Sequence, residues 1–573
     1  MANPFFRYVS CLMWLSLAAC ADGSRAPKTD ELREIVLRNA APEERATELF
    51  SASRSSHREV LQKIDEAVTE PRIKGIFLRI GELGSSFART SELRQALLRV
   101  REAKKPVHCY FDSTDNSGYG LVAEVCDRIM MPPNGMLALT GLRAQSYYLR
   151  DLLERVGVTA ELLQVGRFKG AADPLTRTEM APEVRETMGA LLDDLSADLS
   201  RGVQKGRSMD AAAFQHAVDE GPHTAASALK LHSDDAVGFD DEARSKAKDA
   251  AKAKAVVSVL ERKEDHGLGI GDVFDLFTDD GKGSARGERL VLAYVAGTIG
   301  ESDNEGADGV QSGPFVKAMR KYADDVNVKG VVLRIDSPGG SALASDKMWH
   351  AVRRVAKRKP VIVSVGDMAA SGGYYIACAG TEIFASPTSI VGSIGVVGGK
   401  IVVDKLAAQL GVHATTLTRG RNANWLSPTS RFSDSERAAL QRALEETYGI
   451  FVSRVREGRK LSDAEISTVA EGRIMSGKRA TEGKLVDREG TLYDAIAHLR
   501  DKTGVSDKDA IEVWPKDRSI FSRLSNAMSG GSESRALLGQ LLPDVLPKSP
   551  LAALLLSGDT KPLAVLPFSL ELE

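Results

Sequence analysis

The chain has 573 residues, 43% of them hydrophobic and 27% charged. That is length for two or more domains and apolar content for large cores, which excludes wholesale disorder. Lys and Arg number 76 against 78 Asp and Glu, a formal net charge of −2, so no electrostatic feature points to a nucleic-acid partner.

At the start, residues 1–20 read MANPFFRYVSCLMWLSLAAC, with one basic residue at Arg7, an apolar run from Tyr8 to Ala19 and then Cys20. The run is short for a bilayer span, which takes about 20 residues, and it fits the apolar part of an export signal. Its ending, Leu17-Ala18-Ala19-Cys20, is similar to a bacterial lipobox, in which the cysteine is lipidated and becomes the new N-terminus; an uncleaved anchor that contains a cysteine is the alternative. Either form predicts an exported, membrane-tethered chain. Of the five cysteines, Cys11 and Cys20 belong to this segment. Cys109, Cys126 and Cys378 lie in apolar stretches and read as buried small hydrophobes rather than a disulfide framework. No Cys/His spacing fits a zinc or iron site, so neither metal nor cofactor is expected.

Next comes a long internal repeat. Lys74-Gly75-Ile76-Phe77-Leu78-Arg79-Ile80 recurs as Lys329-Gly330-Val331-Val332-Leu333-Arg334-Ile335, and Lys105-Pro106-Val107 recurs as Lys359-Pro360-Val361. Gly166-Arg167 returns as Gly420-Arg421, and Glu220-Gly221 as Glu471-Gly472. The spacing stays near about 250 residues, which means duplication of a whole domain rather than a solenoid period. In the second copy KGVVLRI reads as a buried strand, 345–357 as a helix, and PVIVSV as another strand before a Gly-rich turn and a further helix. Near-continuous apolar strands alternating with helices predict an α/β fold: two tandem domains with mostly parallel sheets flanked by helices. The expected boundaries are 1–20 for the signal or anchor, 55–240 for the first repeat, 241–287 for a linker, 288–505 for the second repeat and 506–573 for a tail without an assigned role.

The residues that carry chemistry cluster in two Gly-rich turns of the second copy. Ala369-Ala370-Ser371-Gly372-Gly373 follows PVIVSV and leaves a serine hydroxyl with little bulk around it. Backbone N–H groups at such a strand-to-helix turn favour developing negative charge. Asp336-Ser337-Pro338-Gly339-Gly340 follows the preceding strand, and two turns at one sheet edge can aim N–H groups at one point. None of the nine histidines sits in a motif beside a carboxylate and a strand end; sequence distance alone leaves a Ser-His-Asp triad open. A lysine buried without a counter-ion can act as the base instead, and Lys169, in Gly166-Arg167-Phe168-Lys169-Gly170, is the candidate. Across the repeat Ser117 matches Ser371 and Ala423 matches Lys169, while Glu82-Leu83-Gly84-Ser85 stands opposite Ser337-Pro338-Gly339-Gly340. One copy retains the base, the other the serine and the turn, which predicts a composite site with Ser117 a relic of duplication. The flanking Met368, Tyr374, Tyr375 and Ile376 suggest pockets for apolar peptide segments.

Tandem halves, SPGG, ASGGYY, GSIG (Gly392-Ser393-Ile394-Gly395) and GRFK together resemble the bacterial signal peptide peptidase A family, also called protease IV, in its long duplicated form, over about residues 55–505. The resemblance implies a fold related to the ClpP/crotonase superfamily, with Ser371 as nucleophile, Lys169 as base and Ser393 orienting the lysine. Amides near Gly339 or Gly340, with that of Gly372, would hold the oxyanion. It also implies a serine protease in the cell envelope, its catalytic domain in the periplasm, assembled as a homo-oligomer (a tetramer in the family) and degrading signal peptides and other apolar peptides at the membrane. Two alternatives remain at this stage, a non-catalytic peptide-binding scaffold and a crotonase-like acyl-CoA enzyme. The lipobox in place of a plain anchor, and the apolar tail, depart from the family pattern.

Overall fold

The computed structural model describes residues 29–38, 41–43, 55–84, 87–260, 287–303, 309–506 and 510–515, and the backbone of 563–565. The export segment with Cys20 lies outside the described residues. Among the described residues no helix is long and apolar enough to cross a membrane.

Each repeat builds a parallel sheet from its near-continuous apolar runs. The first sheet runs in the order Ala255–Ser258, Glu31–Leu37, Ile73–Ile80, Val107–Phe111, Arg128–Met131 and Ala236–Val237, every pair parallel. The second runs Ile474–Ser476, Ile390–Gly392, Val361–Ala370, Val328–Ser337, Arg289–Ala296 and Ile511–Trp514, antiparallel only at its first pair. Helices cover both faces, as a parallel sheet demands. On the second sheet, Ser312–Asp324 and Ala342–Ala356 bury Phe315, Met319, Met348 and Val352 on one side, and Leu492–Thr503 buries Leu492, Ala495 and Leu499 on the other. Side-chain caps start these helices where the strands stop: Ser341 accepts from the Ala344 N–H, and Asp115 from the Gly118 N–H at the head of Asn116–Val125. The duplication reaches the hydrogen bonds. Tyr119 Oη donates to the Ser233 carbonyl at 2.9 Å and Tyr374 Oη to that of Leu485 at 2.8 Å. Arg207 pairs with Asp235 at 2.6 Å and Arg459 with Asp487 at 2.7 Å.

Three sequence expectations need correction. The boundaries move: Glu31–Leu37 precedes residue 55 yet belongs to the first sheet, and Ala255–Ser258, expected in the linker, forms its edge. The Ala- and Lys-rich composition that suggested a linker hides a helix, Asp240–Ala250. It sets Ala243 and Ala247, with Ala251 and Ala253 just beyond, on Leu32, Phe77, Tyr110 and Met130. Likewise Ile511–Trp514, expected in the tail, adds the matching edge strand to the second sheet. Cys109 and Cys126 are joined in a disulfide, with Cα atoms 5.8 Å apart. An apolar context therefore misled, since a strand residue and a helix C-cap meet across the sheet. Cys378 is free and buried. Tyr374, Tyr375 and Ile376 belong to the core of the second half. All three are buried, and Tyr375 stacks on Phe451 at 4.5 Å while its hydroxyl donates to Asp346.

A third sheet joins the two halves: Val310–Gln311, Ile299–Gly300, Gly339–Ser341, Leu563–Val565, Val396–Val402 and Thr159–Val165. Thr159–Val165 from the first repeat pairs antiparallel with Val396–Val402 of the second over its whole length, from Thr159 opposite Val402 to Val165 opposite Val396. A buried charged cluster also links the halves. The Arg334 guanidinium, fully buried, donates to Glu43 at 2.9 Å and Glu92 at 2.8 Å, and Glu92 also accepts from His57 and from the Leu492 N–H. Arg89 reaches from the first half to Asp336 at 2.6 Å and Asp367 at 2.9 Å, holding the ends of the two strands that precede the Gly-rich turns. Burial, with Asp367 close by, pushes the Asp336 carboxyl up to about 7.

Candidate active site

Lys169 follows the strand Thr159–Val165, and the antiparallel pairing with Val396–Val402 carries it across the boundary between the halves. Its Nζ lies 2.7 Å from Ser371 Oγ, 2.9 Å from Ser393 Oγ and 3.1 Å from the Ser393 carbonyl oxygen. Lys169, Ser371 and Ser393 have no solvent exposure. Burial alone drives the ammonium well below the usual lysine range, and among the described residues no carboxylate opposes it. A neutral amine has two N–H groups and one lone pair. The two Ser393 oxygens take the N–H groups, and the lone pair is left for the Ser371 hydroxyl.

Ser371 ends the strand Val361–Ala370 and opens the short helix Gly372–Ala377, at φ 54° and ψ −115°. A non-glycine residue at positive φ is strained, and such strain concentrates at functional turns. Its N–H donates to the Gly392 carbonyl at 2.8 Å, and Ser393, the residue immediately after the strand Ile390–Gly392, also has φ 54°. Behind the serine, a Cβ on Gly372 would come within 2.6 Å of Ser345 Oγ and 3.2 Å of both Gly339 Cα and the Gly340 nitrogen. The two Gly-rich turns therefore touch. Ser337 Oγ donates to the Gly297 carbonyl at 2.6 Å and accepts from the Gly339 N–H at 3.2 Å, so of the three glycines expected to hold an oxyanion, Gly339 already has an acceptor.

Ser117 is the second residue of Asn116–Val125 and donates to Asp115 at 2.9 Å, and Ala423, the repeat counterpart of Lys169, is exposed. In this counterpart pair alanine stands where the other has its lysine.

Sequence reasoning missed the backbone that seats Lys169. Gly472, at φ 86°, stands so close that a Cβ there would lie 2.4 Å from the Lys169 nitrogen, and a Cβ on Gly395 would lie 3.1 Å from the lysine Cδ. The Phe168 N–H donates to the Glu471 carbonyl at 2.8 Å, and the Gly472 N–H to that of Ile394 at 2.8 Å. The repeated Glu-Gly pair was visible in the chain; its contact with the lysine was not. Gly472→Ala is expected to displace the Lys169 backbone and lower kcat by about 100-fold, the usual cost of a misplacement near 1 Å. Gly504→Ala, also at positive φ but with nothing within 4 Å, serves as the control for backbone strain, and steady-state kinetics on the two variants decides between them.

A family model, peptidase family S49, matches the chain twice, over residues 99–254 and 353–506. The serine protease SPPA of Arabidopsis thaliana chloroplasts is 28% identical over 455 residues, 77% of this chain and 64% of that one. Protease 4 of Haemophilus influenzae is 29% identical over 515 residues, 86% of this chain and 81% of that one, and Protease 4 of Salmonella typhi is 26% identical over 87% of this chain. Among solved structures a mutant ClpP1 from Listeria monocytogenes covers 36% of this chain and 94% of its own, at 14% identity and a TM-score of 0.24. The family model and these protease relatives define a serine protease, on an α/β fold. The chain belongs to peptidase family S49, with the family domain present in two copies.

Proposed function

We propose that the chain is a membrane-attached endopeptidase with a Ser–Lys dyad that degrades signal peptides and other apolar peptides in the bacterial cell envelope, its catalytic part in the periplasm. The observation that carries the dyad is the buried Lys169 Nζ, 2.7 Å from Ser371 Oγ and without a counter-ion among the described residues. In this reading neutral Lys169 takes the Ser371 proton as Oγ attacks the scissile carbonyl, and Ser393 keeps the amine aimed. The N–H groups of Gly372 and Gly340 receive the oxyanion, with Gly339 shaping the turn. The ammonium then protonates the leaving amine, and water releases the acyl group. The Cys109–Cys126 disulfide supports an oxidising compartment, and the export segment ending at Cys20 supports a membrane tether. Assembly into a homo-oligomer follows from the family likeness and is part of the same proposal.

A fluorophosphonate probe tests the dyad. Labelling is expected at Ser371 and to vanish in Ser371→Ala. Its rate should rise with pH as Lys169 loses its proton and level off well below the ordinary lysine range, because the ammonium form has no lone pair to offer. No labelling under conditions where a control serine protease reacts would favour a peptide-binding scaffold instead.

A further inference from the structure

The sheet that joins the halves contains one strand from neither repeat. Leu563–Val565 runs antiparallel to Gly339–Ser341, with Val565 opposite Gly339, Ala564 opposite Gly340 and Leu563 opposite Ser341. On its other side Leu563 is opposite Val397. Gly339–Ser341 and Val396–Val402 are neighbours only through this strand. Without it, two main-chain edges face one another across a gap one strand wide, an arrangement that takes up an extended peptide by backbone pairing. The gap lies at the chemistry: Gly340 abuts Gly372, the residue after Ser371, and Val396–Val402 pairs with the strand that leads to Lys169. Extended backbone is thus held opposite the glycine turn, whose neighbour Ser371 has no exposed surface.

The sequence of this segment suits an occupant that can leave. Lys561-Pro562-Leu563-Ala564-Val565-Leu566-Pro567 is a short apolar stretch with a proline on each side. Proline cannot donate to a sheet ladder, so the pairing is confined to a few residues between the two. The long stretch of chain between Trp514 and Leu563 makes its docking intramolecular.

We infer that Leu563–Val565 is a tethered occupant of the peptide slot: the chain's own C-terminal segment lies where a substrate strand would lie, antiparallel to Gly339–Ser341, and has to leave before an apolar peptide can bind. The inference rests on Ser371 and Lys169 as the reacting pair and adds what the site recognises, namely three or more residues of extended backbone running opposite to Gly339–Ser341. Because only a fraction of molecules has an open slot, the apparent affinity for external peptides falls by that fraction.

Binding measured in the full-length Ser371→Ala chain separates this inference from the catalytic reading. A fluorescein-labelled peptide of sequence KPLAVLPF is titrated against that chain and against the same chain carrying Ala564→Pro, and against a third in which residues 562–567 are replaced by Gly and Ser. Both tail variants are expected to bind it about tenfold more tightly. With Ser371 restored, KM for a fluorogenic apolar peptide should fall by a similar factor while kcat stays within about twofold. Equal Kd in all three chains overturns the inference, as does weaker binding in the tail variants, which would make the strand a wall of the slot rather than its occupant. Absence of hydrolysis in every Ser371-containing chain, with the difference in Kd intact, would instead count against the dyad.

Discussion

Lys169→Met is expected to abolish peptide hydrolysis and to raise the melting temperature. The loss should reach about 10⁴-fold or more in kcat/KM, the scale on which members of a nucleophile–base unit fail when one is removed. Ser371→Ala should fall equally far, and the double variant no further, because the two act as one unit. Ser117→Ala should retain activity, since its hydroxyl is committed to Asp115. The gain in stability comes from the same geometry as the loss of activity. Lys169 is fully buried with three oxygens and, among the described residues, no carboxylate around Nζ, so its proton is held less tightly in the folded than in the unfolded chain. Between the depressed folded value and the ordinary lysine value, the unfolded chain binds more protons, and stability rises with pH. Methionine, of similar length and uncharged, removes that cost. The stabilisation by Lys169→Met should therefore be larger at neutral pH than in alkali and shrink toward about pH 10, where the unfolded lysine also loses its proton. Thermal unfolding at pH 7 and pH 9.5 checks the sign. Activity retained in Lys169→Met would end the dyad reading and return attention to the histidines.

Arg334→Leu should be the most destabilising single change outside the catalytic residues. Arg334 has no solvent exposure and holds two buried carboxylates from the other half of the molecule, Glu43 and Glu92. Burial pushes both carboxyls up, and the guanidinium more than offsets it, so both sit below the ordinary carboxylate range. Removing the arginine strands two negative charges in the interface, at a cost of about 3–5 kcal/mol. The pH dependence should reverse along with it. In the parent chain depressed carboxyls contribute stability that is present above the unfolded value and lost as pH falls through the folded one. In Arg334→Leu the same carboxyls keep His57 and Arg89 as charged neighbours but lose the guanidinium that outweighed burial, so acidification toward pH 5 lets them take protons and recovers part of the loss. Urea unfolding of both chains at pH 7 and pH 5 measures this. A loss under about 1 kcal/mol, or one that grows on acidification, would show that Glu43 and Glu92 find other partners. Arg79, the repeat counterpart, meets Glu34 and Asp240 at 3.6 Å and is partly exposed, so Arg79→Leu should cost far less.

Much of this was legible in the chain. The repeat alone divides the molecule into two related α/β halves, because a duplicated apolar strand must be buried the same way twice. Local turn chemistry marks Ser371 and the Gly339-Gly340 turn, and the asymmetry between copies singles out Lys169, which has Ala423 as its counterpart. Composition was a poorer guide. The alanine-rich helix Asp240–Ala250 read as linker because alanine and lysine look soluble until the i,i+4 stripe of Ala243 and Ala247 meets Phe77 and Tyr110. Cys109 and Cys126 read as separate hydrophobes because nothing in their spacing states that a strand and the end of a helix face each other. Tyr374 and Tyr375 looked like walls of a pocket, since an aromatic beside a nucleophile has the same sequence signature whether it points to substrate or to core.

By itself, then, the sequence determined the elements, their duplication and the residue types able to do acyl transfer, all of which depend on local propensity and pattern. Only the tertiary structure decided that Lys169 meets Ser371. That contact needs Thr159–Val165 to pair with Val396–Val402 across more than 200 residues of chain, and strand pairing of that range is set by which edges remain free once both cores have closed. The same holds for the slot filled by Leu563–Val565. Two edges left one strand apart are a property of assembled sheets, and no stretch of the chain read alone contains them.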